Sequence, residues 1–268
     1  MGASLCKSIK RNKITSRISG FDNNPDTLKY AQKNKIIDTA HEDLYKIDHP
    51  DLVILCTPIS TYTNIIEQII ESLEKKTILT DIGSSKGNPH LDITKKLSKS
   101  KIDYLSSHPM VGSENSGIKS SKSNMFENKI VFIIDKMTVK QSIYNDINSF
   151  WLSMGAVTHS IDKKKHDDLM AKTSHISHLM SYIFMQSLPQ SVIDNNLSLL
   201  LGGGIKEHVR LSKSDPTMWS DIFINNRKNI KKTIATIEKN ISQIKNIIDK
   251  SEKEKLKRLL EKIQSKTI

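Results

Sequence analysis

Leu52-Val53-Ile54-Leu55-Cys56-Thr57-Pro58 begins the stretch whose reading decides the fold, and Thr77-Ile78-Leu79-Thr80-Asp81-Ile82-Gly83-Ser84-Ser85-Lys86-Gly87 completes it. The run from Leu52 to Cys56 is apolar without alternation and stops at Thr57-Pro58, as a strand buried on both faces of a parallel sheet would. Ile65, Ile66, Ile69, Ile70 and Leu73 follow at helical spacing. Thr77 to Asp81 is the next strand, broken by Gly83. Strand, helix and strand in direct succession form the unit from which parallel sheets are built.

The alternation extends to both sides. Upstream, Ile18-Ser19-Gly20-Phe21 is a short strand ending at Asp22, and Asn24-Pro25-Asp26 starts a helix with proline in its first turn. Downstream, Tyr104-Leu105 and Ile130 to Ile134 add strands. From about Lys164 the pattern changes to helices alone. His166 to Leu188 reads as one helix ending near Pro189, and the apolar run Leu197 to Leu201 stops at Gly202-Gly203-Gly204. Ile230, Ile234, Ile237, Ile241, Ile244 and Ile248 advance in steps of four and three along a long final helix. That seam suits an amphipathic core helix or a helix packed across a dimer interface. The expected architecture is an α/β parallel-sheet domain over residues 1–162 and an all-α domain over 163–268.

Composition narrows the function classes. A chain of 268 residues can bury a sizeable core in two domains. Its 37% hydrophobic and 26% charged residues are the balance of a soluble globular protein. The longest apolar runs fall well short of the roughly 20 residues that span a bilayer, so no membrane partner is expected. Cys6 and Cys56 form no CxxC pair, and no long apolar segment opens the chain as a secretory signal would, so a reducing cytoplasm is expected. The net charge of +12 does not by itself make a nucleic-acid protein. The lysines are spread along the whole chain among Asp and Glu, and aromatics are only 5%, with no basic–aromatic alternation to stack bases. Such a surface can still draw anionic small molecules toward a site.

In doubly wound sheets, ligands bind at the carboxyl ends of the strands. Four polar clusters fall there: Asp22, Thr57-Pro58, Asp81 to Gly87, and His108-Pro109-Met110-Val111-Gly112-Ser113-Glu114-Asn115-Ser116-Gly117. A carboxylate after the second strand is where a dinucleotide has its adenosine ribose recognised. Asp22 there would accept from a 2′-hydroxyl and repel a 2′-phosphate, favouring NAD over NADP. His108 can exchange a proton near neutral pH, and the flanking glycines permit close approach to a ligand. The same composition also suits a plain polar loop with a His-Pro turn. In the helical half, His175 and His178 share a helix face. No Cys or acidic ligand stands at a suitable spacing beside them, so capped or buried histidines are expected and no metal. Gly202 to Gly204 is no phosphate loop, because no Lys-Ser/Thr pair follows. Arg210 could grip a carboxylate bidentately or stand as an ordinary surface arginine.

The dinucleotide fingerprint G-x-G-x-x-G between a strand and a helix is absent. Met1-Gly2-Ala3-Ser4-Leu5 reads as a helix start with no strand ahead of it. Gly2 lies 20 residues before Asp22, the separation expected of the fingerprint's last glycine. On this reading the chain begins partway through its own cofactor site, and the natural product starts roughly ten residues earlier.

Met1-Gly-Ala-Ser-Leu5, Gly20-Phe-Asp22, Asp81 to Gly87, His108 to Gly117, Ser174-His-Ile-Ser-His178, Gly202 to Gly204 and Arg210 to Trp219 form an ordered set across nearly the whole chain. The set resembles the prephenate and arogenate dehydrogenases of tyrosine biosynthesis. The resemblance implies a Rossmann-type NAD domain, here N-terminally truncated, followed by a helical domain that forms a homodimer. It also implies an oxidative decarboxylation of prephenate or arogenate, in which NAD takes a hydride, carbon dioxide leaves and the ring becomes aromatic. By resemblance, His108 accepts the ring-hydroxyl proton and Ser84 helps orient that hydroxyl. Arg210 binds a substrate carboxylate, His178 and Trp219 line the pocket, and Glu114 helps shape it. Gly2, Asp22, Thr57, Pro58 and Asp81 are the expected cofactor contacts. The alternatives are an impaired homologue acting only as a helical dimer, and a related hydroxy-acid dehydrogenase.

Overall fold

A computed structural model describes residues 1–266 except 16, 48, 75, 98–99, 101, 113–116 and 191–202. Helix α1 (Gly2–Arg11) buries Leu5 and Ile9. Strand β1 (Ser19–Phe21) leads to α2 (Pro25–Lys33). The Asn24 side chain caps α2 by accepting from the amides of Asp26 and Thr27, with Pro25 at the first helical position. Strand β2 (Thr39–His41) returns parallel to β1. The unit read first in the sequence forms β3 (Leu52–Leu55), α3 (Tyr62–Ile69) and β4 (Ile78–Asp81), with the two strands parallel. Helix α4 (Asn88–Leu97) crosses to β5 (Asp103–Tyr104), which lies parallel to β4. Strand β6 (Ser107–Pro109) then pairs antiparallel with β7 (Ile130–Ile134). Helix α5 (Gln141–Ser153) leads to β8 (Val157–Ile161), parallel to β7.

The sheet comes in pieces, β1-β2, β3-β4-β5 and β6-β7-β8. The doubly wound order 3-2-1-4-5-6 places the first strand between the second and the fourth. Among the described residues β1 pairs with β2 and β3 with β4, and no strand joins these two parallel pieces. They share a core instead: Leu5 and Ile9 of α1 pack in one apolar cluster with Ile18, Ile37, Val131, Ile133 and Trp151, and Leu52 and Ile54 lie against it. A second cluster, including Leu55, Ile66, Leu79 and Ile93, is sealed between β3–β4 and helices α3 and α4.

The second half is helical. Asp162 caps α6 (Lys163–Met170) by accepting from the amides of Lys164 and Lys165. A π-helical turn, Ala171–His175, separates α6 from α7 (Ile176–Ser187). The single helix expected from His166 to Leu188 therefore starts earlier, at its cap, and carries an inserted turn of the kind often found at functional sites. The expected apolar run Leu197 to Leu201 and Gly202 lie outside the described residues. Helices α8 (Gly203–Ser212), α9 (Pro216–Asn225), α10 (Arg227–Asp249) and α11 (Lys253–Gln264) follow. On α10 the isoleucine seam is buried at Ile230 and half-buried at Ile234, Ile237 and Ile244, while Ile241 and Ile248 are 54% and 57% exposed; Ile247, beside the seam, is buried in the last turn. Among the described residues, no helix is long and apolar enough to cross a membrane.

Trp151 ties the helix layer to the sheet. It is fully buried, packs its ring on Phe126 and Phe150, and donates from Nε1 to Ser107 Oγ at 3.0 Å. Trp151→Ala should cost about 3–5 kcal/mol of stability. Urea unfolding followed by circular dichroism would show it as a lower midpoint, and an unchanged midpoint would contradict this packing role.

Candidate active site

The loop after β4 is fixed by a buried ion pair. Asp81 is 1% exposed. Its Oδ2 accepts from Lys86 Nζ at 2.7 Å and from the Gly83 amide at 2.8 Å. Its Oδ1 accepts from the Tyr104 hydroxyl at 2.8 Å and from the Ser106 hydroxyl. Lys86 Nζ also donates to the Ser107 carbonyl at 2.7 Å. Burial alone would raise the Asp81 carboxyl, but the Lys86 ammonium and the two hydroxyls bring it below its ordinary value. Burial pushes the Lys86 ammonium down against the attraction of Asp81. Gly83 is required by close approach, since a Cβ there would stand 3.0 Å from Asp81 Oδ2 and 3.1 Å from the Tyr62 hydroxyl. With both oxygens taken by protein donors, Asp81 holds the loop and is not the direct cofactor contact expected from sequence.

Alternation along β6 sends its side chains two ways. Ser107 turns toward Trp151, while His108, paired opposite Phe132, turns toward α6. His108 Nδ1 lies 2.8 Å from His166 Nε2, and His166 Nδ1 lies 2.9 Å from Asp167 Oδ1. That carboxylate oxygen also accepts from the Lys86 amide at 2.9 Å. Burial lowers His108 well below the ordinary histidine value, with further pushes from His166, Lys86 and His175. Burial lowers His166 too, against its hydrogen bond with Asp167. Sequence reasoning missed this pair, because Lys163-Lys-Lys-His-Asp-Asp168 reads as a solvated face. The signal available was Met170 and Ala171, which stand four residues after His166 and Asp167 and mark the same inward side.

The helical domain supplies a second wall. Asn226 Nδ2 donates to the Asp167 carbonyl at 2.7 Å and to His175 Nδ1 at 3.1 Å. Burial takes His175 down to about 4, outweighing the pull of Asp167 and the Ser84 carbonyl. His178 stacks on Trp219 with ring centroids 3.6 Å apart, and His175 meets the same ring edge-on at 6.1 Å. Burial lowers His178 as well, and the Arg210 charge adds to the effect. His108, His175, His178, Trp219 and Arg210 thus form one connected neighbourhood. Ser84 borders it from the β4 loop, half-buried. Arg210 bonds Glu207 through Nε at 2.9 Å and Nη2 at 2.6 Å, so the carboxylate it grips here belongs to its own helix. Glu114 lies outside the described residues. Among the described residues, Trp219 Nε1 and Ser85 Oγ are buried polar atoms without a protein partner, which suits a pocket completed by a polar ligand.

The other strand ends carry the expected cofactor residues. A Cβ on Gly2 would lie 3.2 Å from Cys56 Cβ, so the start of α1 abuts the end of β3. No side chain caps α1 and no acid stands in its first turn, leaving its amides available to an anion. Asp22 follows β1, and its Oδ1 accepts from the Asn24 amide at 2.9 Å. Thr57 shares a 2.8 Å hydrogen bond with Thr61, beside the exposed Pro58. Ser60 donates from its amide and hydroxyl to Asp221 Oδ2 at 3.2 and 2.6 Å, joining this loop to α9, the helix of Trp219. Helix amides for a pyrophosphate and a strand-end carboxylate for a ribose fit a dinucleotide.

A parallel-sheet nucleotide domain meeting a helical domain at a buried, neutral histidine defines a two-domain dehydrogenase. Residues 5–160 match the family described as "Prephenate dehydrogenase, nucleotide-binding domain", and residues 162–262 match "Prephenate dehydrogenase, dimerization domain". The chain therefore belongs to the prephenate dehydrogenase family of oxidoreductases. It is 25% identical over 263 residues to prephenate dehydrogenase of Lactococcus lactis subsp. cremoris (strain MG1363), covering 97% of this chain and 72% of that protein. The crystal structure of prephenate dehydrogenase from A. aeolicus, in complex with hydroxyphenyl propionate and NAD+, superposes with a TM-score of 0.88 at 29% identity, covering 99% of this chain and 93% of that one. The arogenate dehydrogenase of Synechocystis shares the fold, with a TM-score of 0.77 at 21% identity and coverage of 98% and 94%.

Burial of neutral histidines links stability to pH. An unfolded histidine titrates near 6.5, whereas His108, His166 and His175 have lowered values in the folded chain, His175 to about 4. Their stabilisation is complete above the unfolded value and is lost as pH falls through the window below it. The melting temperature should decline from pH 6.5 toward about 4. That window lies above the unfolded Asp value of 3.8, below which Asp81 adds its own loss. A melting temperature flat across the window would contradict the burial of these rings.

Proposed function

We propose that this chain catalyses the NAD-dependent oxidative decarboxylation of prephenate to 4-hydroxyphenylpyruvate, or of arogenate to tyrosine. The observation that carries the reading is His108: neutral, at a strand end, and bordered by the wall of His175, His178, Trp219 and Arg210. NAD, when bound, supplies the acceptor for the hydride that leaves the carbinol carbon. His108 takes the proton of the ring hydroxyl as its oxygen becomes a carbonyl. The bond to the ring carboxylate breaks, its electron pair enters the ring, carbon dioxide leaves, and the phenolate oxygen takes the proton back from His108. Ser84 orients the hydroxyl, and Glu114 helps shape the pocket. Arg210 exchanges Glu207 for a carboxylate of the substrate. The flat His178–Trp219 stack offers the ring an apolar wall. Gly2, Asp22, Thr57 and Pro58 hold the cofactor. The exposed Ile241, Ile248, Leu260 and Ile263 support a homodimer through the helical domain. The chain works in the cytoplasm, where its unpaired Cys6 and Cys56 stay as thiols.

Steady-state assays with prephenate and arogenate, each with NAD and NADP, test the reading; no carbon dioxide from either substrate would end it. His108→Ala should lower kcat far more than it weakens NAD binding. Arg210→Ala should mainly raise the KM for the dicarboxylate, and an unchanged KM would remove Arg210 from the site. Because His108 must be neutral to accept a proton, activity should fall as pH drops through its lowered value. The acid limb of kcat/KM should therefore lie below the ordinary 6.5.

A further inference from the structure

The chain of short contacts from Asp167 to His108 has only one consistent set of proton positions when both rings are neutral. Asp167 Oδ1 already accepts from the Lys86 amide, and a carboxylate oxygen can only accept. The hydrogen of the 2.9 Å contact therefore sits on His166 Nδ1. A neutral His166 then presents a bare Nε2. The 2.8 Å contact to His108 needs a hydrogen, which must come from His108 Nδ1. A neutral His108 is left with its lone pair on Nε2.

We infer that His166 and Asp167 are positioning residues that hold His108 as the Nδ1–H tautomer, with Nε2 bare and ready to accept a proton. This rests on the proposed role of His108 as the base. The pair also serves the next instant: when Nε2 takes the proton, the cationic ring keeps its Nδ1–H donated to His166, which in turn leans on Asp167. No second proton has to leave. The groups facing the two rings are Lys86 from the β4 loop, Asp81 beneath it, Phe132 on β7 and His175 on the π-helical turn. Asn226 braces the same corner by holding the Asp167 carbonyl and His175 together. Among the described residues, no other group hydrogen-bonds to His108 Nδ1 or His166 Nε2.

Long-range proton–nitrogen correlation on the histidine-labelled protein at neutral pH reads the tautomers directly. The expected result is Nδ1–H for both His108 and His166. An Nε2–H tautomer at His108 in the wild-type chain overturns the inference, whatever the activity. Asp167→Leu removes the acceptor shared by His166 Nδ1 and the Lys86 amide, so nothing fixes the His166 hydrogen on Nδ1. Its kcat should fall at least about a hundredfold, the scale of losing the orienting member of a triad, with the KM for NAD+ unchanged. An Asp167→Leu enzyme with full kcat overturns the inference. A second pair separates positioning from packing: His166→Gln keeps an oxygen able to accept from His108 Nδ1, whereas His166→Leu does not. Partial recovery of kcat and of the acid limb by Gln over Leu supports the role, and equal impairment with the same pH profile contradicts it. If the wild-type chain fails to oxidise prephenate or arogenate, the proposed reaction falls, while the tautomer measurement still decides the relay.

Discussion

The Lys86 ammonium lies in the protein interior, 2.7 Å from the Asp81 carboxylate and 2.7 Å from the Ser107 carbonyl. Taking either partner away from such a buried pair leaves an uncompensated charge and typically costs about 3–5 kcal/mol. The pair therefore fixes where the β4 loop runs relative to β6. Ser84 and Ser85 ride on that loop, and His108 is the residue after the carbonyl that Lys86 holds. The Lys86 backbone amide reaches the other way, to Asp167. One residue thus ties together the end of β4, the strand of His108 and the helix behind it. Tyr104 and Ser106 complete the arrangement by filling the remaining lone pairs of Asp81.

The same charge shapes the chemistry. A histidine near its ordinary value would be partly cationic at neutral pH and a poor acceptor. Desolvation moves His108 down, and the positive Lys86 nearby moves it further. The ion pair that builds the loop is therefore also part of what keeps the His108 ring neutral. His166 shows the balance more plainly, because its carboxylate partner opposes the shift and burial still prevails.

The alternation of strands and helices was legible because buried parallel strands are unbroken apolar runs: Ile130 to Ile134 is read to the residue, and Leu52 to Cys56 within one. Strands β2, β6 and β8 were not legible. The first two are three residues long, and Val157-Thr-His-Ser-Ile161 is apolar only at its ends, so no period forms. For the site, a motif could be seen but not the direction of its side chains. Asp81 looked like a strand-end ligand and is instead enclosed by donors from three later positions, Lys86, Tyr104 and Ser106. His166 and Asp167 were hidden in a charged run, since their partners stand 58 residues and 81 residues away in sequence, at His108 and Lys86. Long-range hydrogen bonds leave no local trace.

That separation gives the helical domain a part in the site. His108 stands on a strand of the nucleotide domain, but the ring that contacts its Nδ1 stands on α6. Asn226, between α9 and α10, holds α6 and the π-helical turn in one place, and its neighbour Asn225 presents a carbonyl 3.1 Å from where a Cβ on Gly87 would lie. Any side chain at Gly87 would therefore press the loop off the helices. Ser60 and Asp221 make a second tie, from the loop after β3 to the helix that carries Trp219. With contacts at the middle and the C-terminal end of α9, a displacement of that helix shifts the Trp219 ring, the loop of Ser84 and the ring partner of His108 together. The setting of His108 is thus a property of the junction, and neither domain alone supplies both rings of the His108–His166 contact.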